Sequence, residues 1–311
     1  MATYEIRATR ENLHGTFSRE IAPVLEIEPG DTVIFETLDA GWGLEPMRED
    51  GSERRTFEPR DASLDAGHAL CGPVAVRGAR PGDTLAVRID ELRTGTFGFN
   101  AAGGPNPTRA EPFGLSVDER LTVRWSLDRE KMVATNHFGH TVAMRPFLGV
   151  MGLPPDEPGH HPTSPPRVTG GNLDCKELIE GTTLYLPVAV EGALFSTGDG
   201  HAAQGDGELS GTAIECPMER AVLTFDVISG VSYPTPRART PEAWITFGVD
   251  EDLDAAMYQA TNAMLDLLME LHGVERPVAL ALASVAVDLR VTQVVNGVKG
   301  VHAVLPHGAI R

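Results

Sequence analysis

Short segments of alternating apolar and polar residues, each introduced by a turn signal, are the feature that most restricts how this chain can fold. The sequence Pro-Gly-Asp at 29–31 precedes the segment 32–37, and the same sequence at 81–83 precedes the segment 84–90. A period of two places successive side chains on opposite faces of the backbone, as in half-buried strands. The first 230 residues are therefore predicted to be mainly β, of the sandwich or barrel type.

The last quarter of the chain changes to helical spacing. Apolar residues recur every three or four positions over 251–272, with a glycine directly after them, and a second helix is predicted over 277–289. The Asn-Gly pair at 296–297 indicates a hairpin turn. We therefore predict an α+β protein. Residues 1–230 form a mainly β body that carries most of the site, and residues 231–311 add a C-terminal α/β element, a helical pair plus hairpin packed on the same body.

Composition limits the partners of the chain. Asp and Glu number 44 against 26 Lys and Arg, for a net charge of −18 over 311 residues. Nucleic acids and anionic membranes both attract basic surfaces, so neither is an expected partner. The first residues lack a signal-peptide pattern, and no uncharged apolar stretch is long enough to span a bilayer. Three cysteines are too few for a disulfide framework or a cysteine-rich zinc site. We expect a cytoplasmic protein.

The segment 198–208 concentrates ionisable side chains among glycines. It contains Asp199, His201, Gln204 and Glu208, and its flanks predict a strand, a glycine-rich loop and a second strand. If the backbone is extended, Asp199 and His201 lie on the same face. A histidine with carboxylates suits zinc or another divalent ion. A glycine-rich surface turn with a solvated histidine fits the segment equally well.

Other candidate residues stand next to turns and long loops. His68 precedes a predicted strand, and Asn172 and Asp174 follow the proline- and glycine-rich stretch 152–171. Taken singly, each also fits a structural turn or a helix cap. A second glycine- and proline-rich region spans 95–112, and loops of this length often shape a site.

Several of these blocks together resemble the acetamidase/formamidase family. The similar segments cover most of the chain and are 68–73, 170–178, 184–188, 198–208, 211–215, 286–291 and 296–300. The resemblance implies a largely β protein with an added α/β element. It also implies hydrolysis of short linear amides to a carboxylate and ammonia, a metal-dependent site and a homo-oligomer.

The resemblance also singles out individual positions of this chain. We hypothesise that a divalent metal, zinc rather than calcium, is held in the site, with calcium as an alternative at the same or a second site. The hypothesis assigns the metal to Asp199, His201, His68 and Asp174, the general base to Glu208 or Glu215, and donors to the substrate carbonyl to Asn172 and Gln204.

A nucleophilic mechanism is a weaker interpretation. Cys175-Lys176-Glu177 contains the residue types of the nitrilase-type amidase triad, but sequence neighbours diverge on any regular backbone and cannot converge on one carbonyl. Activated water is therefore favoured. Gly200 and Cys71 depart from the family pattern, and we expect both to alter the pocket. A non-catalytic small-molecule-binding or scaffold protein, or a hydrolase of a different non-peptide C–N bond, remains an alternative.

Overall fold

The computed structural model describes residues Met1–Arg311, and most of its regular structure is strand. The helices are α1 (Pro107–Ala110), α2 (Leu253–His272) and α3 (Arg276–Ala286). The strands are β1 (Thr3–Ile6), β2 (Leu13–His14), β3 (Thr16–Phe17), β4 (Leu25–Ile27), β5 (Thr32–Phe35), β6 (Leu70–Val76), β7 (Thr84–Thr94), β8 (Phe97–Gly103), β9 (Arg120–Asp128), β10 (Val133–Asn136), β11 (Thr141–Ala143), β12 (Phe147–Gly152), β13 (His161–Pro162), β14 (Gly170–Asn172), β15 (Thr183–Pro187), β16 (Phe195–His201), β17 (Glu215–Cys216), β18 (Met218–Ile228), β19 (Arg237–Arg239), β20 (Ala243–Asp250), β21 (Asp288–Gln293) and β22 (Lys299–Pro306). The predicted mainly β, α+β class is confirmed.

Two large sheets share the main hydrophobic core. The first has nine strands in the order β1-β5-β18-β7-β15-β19-β20-β22-β21. The second follows the path β11-β10-β9-β8-β17-β16-β12-β14, with β6 joining β16 to β2 and β4. Phe195 of the second sheet packs edge-on against Phe35 and Phe225 of the first, with ring centroids 6.3 and 5.1 Å apart. The core therefore lies between the sheets, as in a sandwich.

The C-terminal elements extend the first sheet and add a second, smaller core. Helix α2 packs on β20 and β22, and its buried side chains join those of α3 and β22. Asp252 caps the start of α2 by accepting the Ala255 N–H at 2.9 Å, and Gly273 ends it with φ +63°. None of the helices is both long and apolar enough to cross a membrane. The division of the chain near residue 230 stays a prediction.

Several predicted boundaries are corrected by strand pairing. Helix α3 ends at Ala286 rather than near 289, because the following residues pair with β22. The region 95–112, predicted as a loop, contains β8 and α1. Residues 198–201, also predicted as loop, belong to β16, and the next strand begins only at Glu215. At Gly198 a Cβ atom would lie 2.3 Å from the Ala69 carbonyl oxygen, so glycine here permits close strand pairing.

A glycine in β20 sets how closely α2 can pack on the sheet. A Cβ atom at Gly248 would lie 1.9 Å from the Ala256 carbonyl oxygen and 2.6 Å from the Ala260 nitrogen, both in the α2 backbone. We predict that Gly248→Ala pushes the helix away and lowers the free energy of unfolding by at least about 2 kcal/mol. Urea unfolding measures this change.

The matched control is Gly205→Ala, where a Cβ atom meets nothing within 4 Å. We expect that substitution to change stability by less than about 0.5 kcal/mol. Equal stability of the two variants would contradict the close-packing argument.

Candidate active site

The second sheet brings together side chains that are far apart in sequence. Strand β16 carries Asp199 and His201, and His201 pairs in register with Glu215 at the start of β17. On the other side of β16, β12 pairs with β14, which leads directly into Asp174. Glu208 follows in the loop between β16 and β17. These elements converge because β16 lies between β12, β6 and β17 in the middle of the sheet.

The converging side chains surround a small cavity of about 210 Å³. It is lined by Ala40, Gly41, His68, Phe99, Arg120, Asn172, Asp174, Asp199, Glu208, Gly211, Thr212, Glu215 and Asn296. A larger cleft of about 560 Å³ over residues 45–50 has no comparable group of buried carboxylates. The small volume is below the roughly 300–1,000 Å³ of sites that bury drug-sized ligands.

Buried charged groups crowd the floor of the cavity. His201 Nε2 lies 3.2 Å from both Asp199 Oδ1 and Glu215 Oε2, and His201 Nδ1 lies 4.0 Å from Asp174 Oδ1. Asp174, Asp199, Glu208 and Glu215 are each no more than 7% exposed. Each of the four retains a buried side-chain oxygen without a hydrogen-bond partner, and both ring nitrogens of His201 are also unpartnered.

Gly149 of β12 lets the side chains of this group approach the backbone closely. A Cβ atom there would lie 2.5 Å from Asp199 Oδ2, 2.7 Å from Asp174 Oδ1 and 2.8 Å from His201 Cε1. Three potential ligand atoms, one from each of these side chains, lie within 4.8 Å of one another. Carboxylate oxygen and imidazole nitrogen are ligands of divalent ions such as zinc, so the donor set fits a metal. The unpartnered atoms would give such an ion its ligands.

Three of the four carboxylates stand on unusual backbone. Asp174, Asp199 and Glu208 have φ angles of +48°, +58° and +48°, a region that residues other than glycine rarely adopt. Asp174 is braced on its backbone and on its side chain, since its carbonyl oxygen accepts from Gln204 Nε2 and its Oδ2 accepts from Asn296 Nδ2, both at 2.7 Å. Such local strain persists where the surrounding structure holds it, often at functional sites.

Burial and crowding shift the ionisation of the whole group. Burial raises the pKa of Glu208 to about 7 and that of Glu215 to about 8, and repulsion from Asp199 adds to both shifts. Burial, with repulsion from Glu208, also raises the pKa of Asp174 well above its usual value. Burial would raise the pKa of Asp199 as well, but attraction to His201 and His68 and polar contacts with His201 and Glu215 together outweigh burial, and the pKa falls.

The pKa of the His201 imidazole is shifted as well. Burial by itself would lower the pKa of His201, but Glu215 and Asp199 outweigh burial and raise it well above the usual value. The group therefore carries more negative charge than one imidazolium balances, which favours uptake of protons or of a divalent cation.

The structure brings the predicted site residues together, with differences in their placement. Six of the eight line the cavity, and His201 contacts three of them. His68 lies in the wall, where its Nδ1 is 2.8 Å from Thr163 Oγ1, and it does not belong to the group of three potential ligands. Gln204 lies behind Asp174 rather than in the cavity wall.

The donor roles predicted for Asn172 and Gln204 stay a prediction, and the structure gives each amide nitrogen a partner within the protein. Asn172 Nδ2 donates to the Ser164 carbonyl at 3.0 Å, and Gln204 Nε2 donates to the Asp174 carbonyl. The unpartnered atoms are the amide oxygens of both residues. The free atoms are therefore acceptors, and Gln204 braces the backbone of Asp174.

Two residues of the site are not predicted from the sequence. Asn296, in the Asn-Gly pair predicted as a turn, lines the cavity and donates to Asp174. Gly149 gives no sequence signal at all. In contrast, Gly200 and Cys71 do not line the cavity: a Cβ atom at Gly200 would meet the Cys216 carbonyl oxygen at 2.6 Å, and Cys71 Sγ donates to the Glu36 carbonyl in the core. The expectation that they reshape the pocket is not supported.

Comparisons with known proteins agree over nearly the whole chain. The sequence model of the acetamidase/formamidase family matches residues 2–161 and 159–308. The structure of an acetamidase from Bacillus halodurans is 31% identical, covers 97% of both chains and superposes with a TM-score of 0.82. An acetamidase structure from Yersinia enterocolitica is 26% identical, covers 99% of this chain and 93% of its own, with a TM-score of 0.81.

A curated formamidase from Methylophilus methylotrophus is 26% identical over 250 residues, which are 64% of this chain. The match spans about 60% of that relative's own length. An acetamidase of Mycolicibacterium smegmatis is likewise 26% identical, over 63% of this chain and 61% of its own length.

The raised carboxyl pKa values make the stability of the metal-free protein depend on pH. The pKa of both Glu208 and Glu215 is raised from 4.5, to about 7 and about 8, so folding favours their protonated forms. This stabilisation is fully present below pH 4.5 and is lost as the pH rises through about 7 and 8. We predict that the melting temperature in EDTA falls by several degrees between pH 5 and pH 8.

The double variant Glu208→Gln/Glu215→Gln separates this effect from the general repulsion of an acidic chain, because it removes only the two site carboxyls. Its melting temperature should fall distinctly less over the same range. If the melting temperatures of the variant and the wild type in EDTA fall equally between pH 5 and pH 8, these carboxyls do not cause the effect.

Proposed function

Because the chain belongs to the acetamidase/formamidase family, we propose that it hydrolyses short linear amides to a carboxylate and ammonia. The observation that carries the proposal is the buried group of Asp174, Asp199, His201, Glu208 and Glu215 at the floor of a small cavity. The cavity volume of about 210 Å³ supports a substrate of the size of formamide or acetamide. Its apolar wall is limited to Ala40 and Phe99, which suits a short acyl group.

Asp174, Asp199 and His201 are the residues that would hold a divalent ion, with zinc favoured by the imidazole ligand. The close approach of the three side chains at Gly149 and their unpartnered atoms support this assignment. When bound, such an ion supplies Lewis-acid activation of a carbonyl and of water. His68 is outside the proposed ligand set because its ring nitrogens do not belong to the group of atoms that lie within 4.8 Å of one another.

Glu215 is the carboxylate best arranged to take a proton. Its Oε1 accepts the Ala213 N–H at 2.9 Å, which fixes the side chain, and its Oε2 has no hydrogen-bond partner. A general base works best when its pKa lies near the working pH, and the pKa of Glu215 is raised to about 8. Glu215 would accept the proton of the attacking water and return it to the leaving nitrogen. Glu208 is the alternative base.

His68 and Asn172 would orient the amide. Thr163 Oγ1 accepts the His68 backbone N–H at 2.9 Å, and its hydroxyl hydrogen is then available to His68 Nδ1 at 2.8 Å. This arrangement leaves the ring proton on Nε2, from where His68 would donate to the substrate carbonyl oxygen. The unpartnered Oδ1 of Asn172 would accept an N–H of the substrate amide.

The proposal extends to a homo-oligomer, which the family resemblance implies. Helix α3 exposes Val278, Leu280 and Val285, of which Val285 is 82% exposed, and this apolar face supports subunit contacts. Light scattering of the purified protein measures the subunit number, and a monomer at working concentration would contradict this part of the proposal.

Removing a proposed ligand should remove metal and activity together. We predict that His201→Ala, Asp199→Asn and Gly149→Ala each lose the metal equivalent of this site and ammonia release from formamide, acetamide and propionamide while remaining folded. In Gly149→Ala the added methyl would crowd the ligand side chains. Metal analysis and an ammonia assay on the same samples test this.

Asp206→Asn is the matched control, because Asp206 lies in the same segment but pairs with Lys176 at 2.8 Å outside the cavity. It should retain both metal and activity. Full metal content in His201→Ala would refute the ligand assignment. Wild-type protein with neither metal nor ammonia release would instead favour a binding or scaffold role, and release from other C–N compounds alone would favour a different substrate.

The general base can be separated from the ligands. Glu215→Gln should keep its metal and lower kcat by at least about 100-fold, because the amide cannot accept the proton. Steady-state ammonia release and metal content are measured in parallel with Glu208→Gln. A large loss of kcat in Glu208→Gln with normal turnover in Glu215→Gln would transfer the role to Glu208.

A further inference from the structure

A second group of potential ligands lies directly beyond Asp174. Cys175, Glu177 and His302 do not line the cavity, and they are 0%, 6% and 0% exposed. Each offers one ligand atom, and the three atoms lie within 4.8 Å of one another. Cys175 and Glu177 belong to the turn that follows β14, whereas His302 lies in the middle of β22.

Two of the three spacings match the edges of a tetrahedron around zinc, and the third is within 4.8 Å. Cys175 Sγ and His302 Nε2 each lie 3.3 Å from the same oxygen, Glu177 Oε2. Zinc bonds of about 2.0 Å to nitrogen or oxygen and about 2.3 Å to sulfur place neighbouring ligand atoms about 3.3–3.6 Å apart. Cys175 and His302 thus present their donor atoms at a suitable distance from Glu177 Oε2.

Neighbouring side chains fix the orientation of His302 and Glu177. His302 Nδ1 is 2.7 Å from Thr292 Oγ1, so Nε2 faces the cluster, and Arg290 Nη1 donates to Glu177 Oε1 at 2.8 Å, so Oε2 faces Cys175 Sγ and His302 Nε2. Ligand histidines commonly engage their second ring nitrogen in this way. His302 Nε2 has no well-formed hydrogen bond although the side chain is fully buried, and such an orphaned polar atom is unusual.

We propose that Cys175, Glu177 and His302 bind a zinc ion at a structural site separate from the group around His201. The soft thiolate selects zinc over calcium or magnesium, which take oxygen ligands. On binding, the cysteine releases its proton to solvent and the sulfur bonds to the ion, while neutral His302 and the Glu177 carboxylate complete the protein ligands. One position of a tetrahedral ion is left for water.

The ion would fasten the C-terminal hairpin to the candidate active site. Strands β21 and β22 supply Arg290, Thr292 and His302, and the turn between them supplies Asn296, which donates to Asp174 Oδ2 at 2.7 Å. Loss of the ion would therefore loosen Asp174 without removing any side chain that lines the cavity.

Cobalt substitution tests the proposal on the full-length chain. The group around His201 contains only oxygen and nitrogen donors, so a thiolate-to-cobalt charge-transfer band in the near ultraviolet reports the second site alone. We expect this band in the Co²⁺-loaded wild type. Cys175→Ser should lose the band and about one metal equivalent per chain.

Two further variants make the result specific. Cys216→Ser, at another buried cysteine outside the cluster, should keep the band, and His201→Ala should keep it as well because the two sites are independent. A cobalt-loaded wild type without a thiolate band would overturn the proposal, and this measurement needs no variant to fold. Equal metal content in folded Cys175→Ser and wild type would also overturn it, whatever the outcome for amide hydrolysis.

Discussion

Four carboxylates and one imidazole lie together where solvent barely reaches. The repulsion among the carboxylates is the constraint on which the rest of the site depends. Asp174, Asp199, Glu208 and Glu215 exceed the charge that His201 balances, and burial makes each unpaired charge costly. Protons or a divalent cation must supply the difference. The unpartnered oxygen atoms and their close approach at Gly149 favour a cation, because a bound ion would take several of these oxygens as ligands at once.

Close packing, backbone conformation and hydrogen bonds from neighbouring residues hold these side chains together. Strand β16 is buried along its whole length, and glycine at 198 and 149 lets neighbouring backbone and side chains approach it closely. Three carboxylates stand on left-handed backbone, and Asp174 is secured by Gln204 and by Asn296 of the C-terminal hairpin. The precision of the site therefore depends on elements more than 100 residues away in sequence.

The turn after β14 connects two buried clusters of different chemistry. Asp174 faces the cavity among oxygen and nitrogen donors, whereas Cys175 and Glu177 meet His302 on the other side. Lys176 points away from both and pairs with Asp206. The C-terminal hairpin contacts the turn through Asn296, through the Arg290–Glu177 ion pair and through His302 beside Glu177, so the stability of the hairpin and the geometry of Asp174 are linked.

Local pattern by itself determined the strands with a period of two, the limits of α2 and the shared face of Asp199 and His201, because periodicity and capping act over a few residues. Family resemblance added Glu208, Glu215, Asn172 and Asp174. Tertiary structure decided the rest: the close approach of side chains at Gly149, the hydrogen bond from Asn296 to Asp174, the contact of Asn172 with Ser164 and the proximity of Cys175 to His302. These depend on strand register and on contacts between distant segments, which no local sequence pattern encodes.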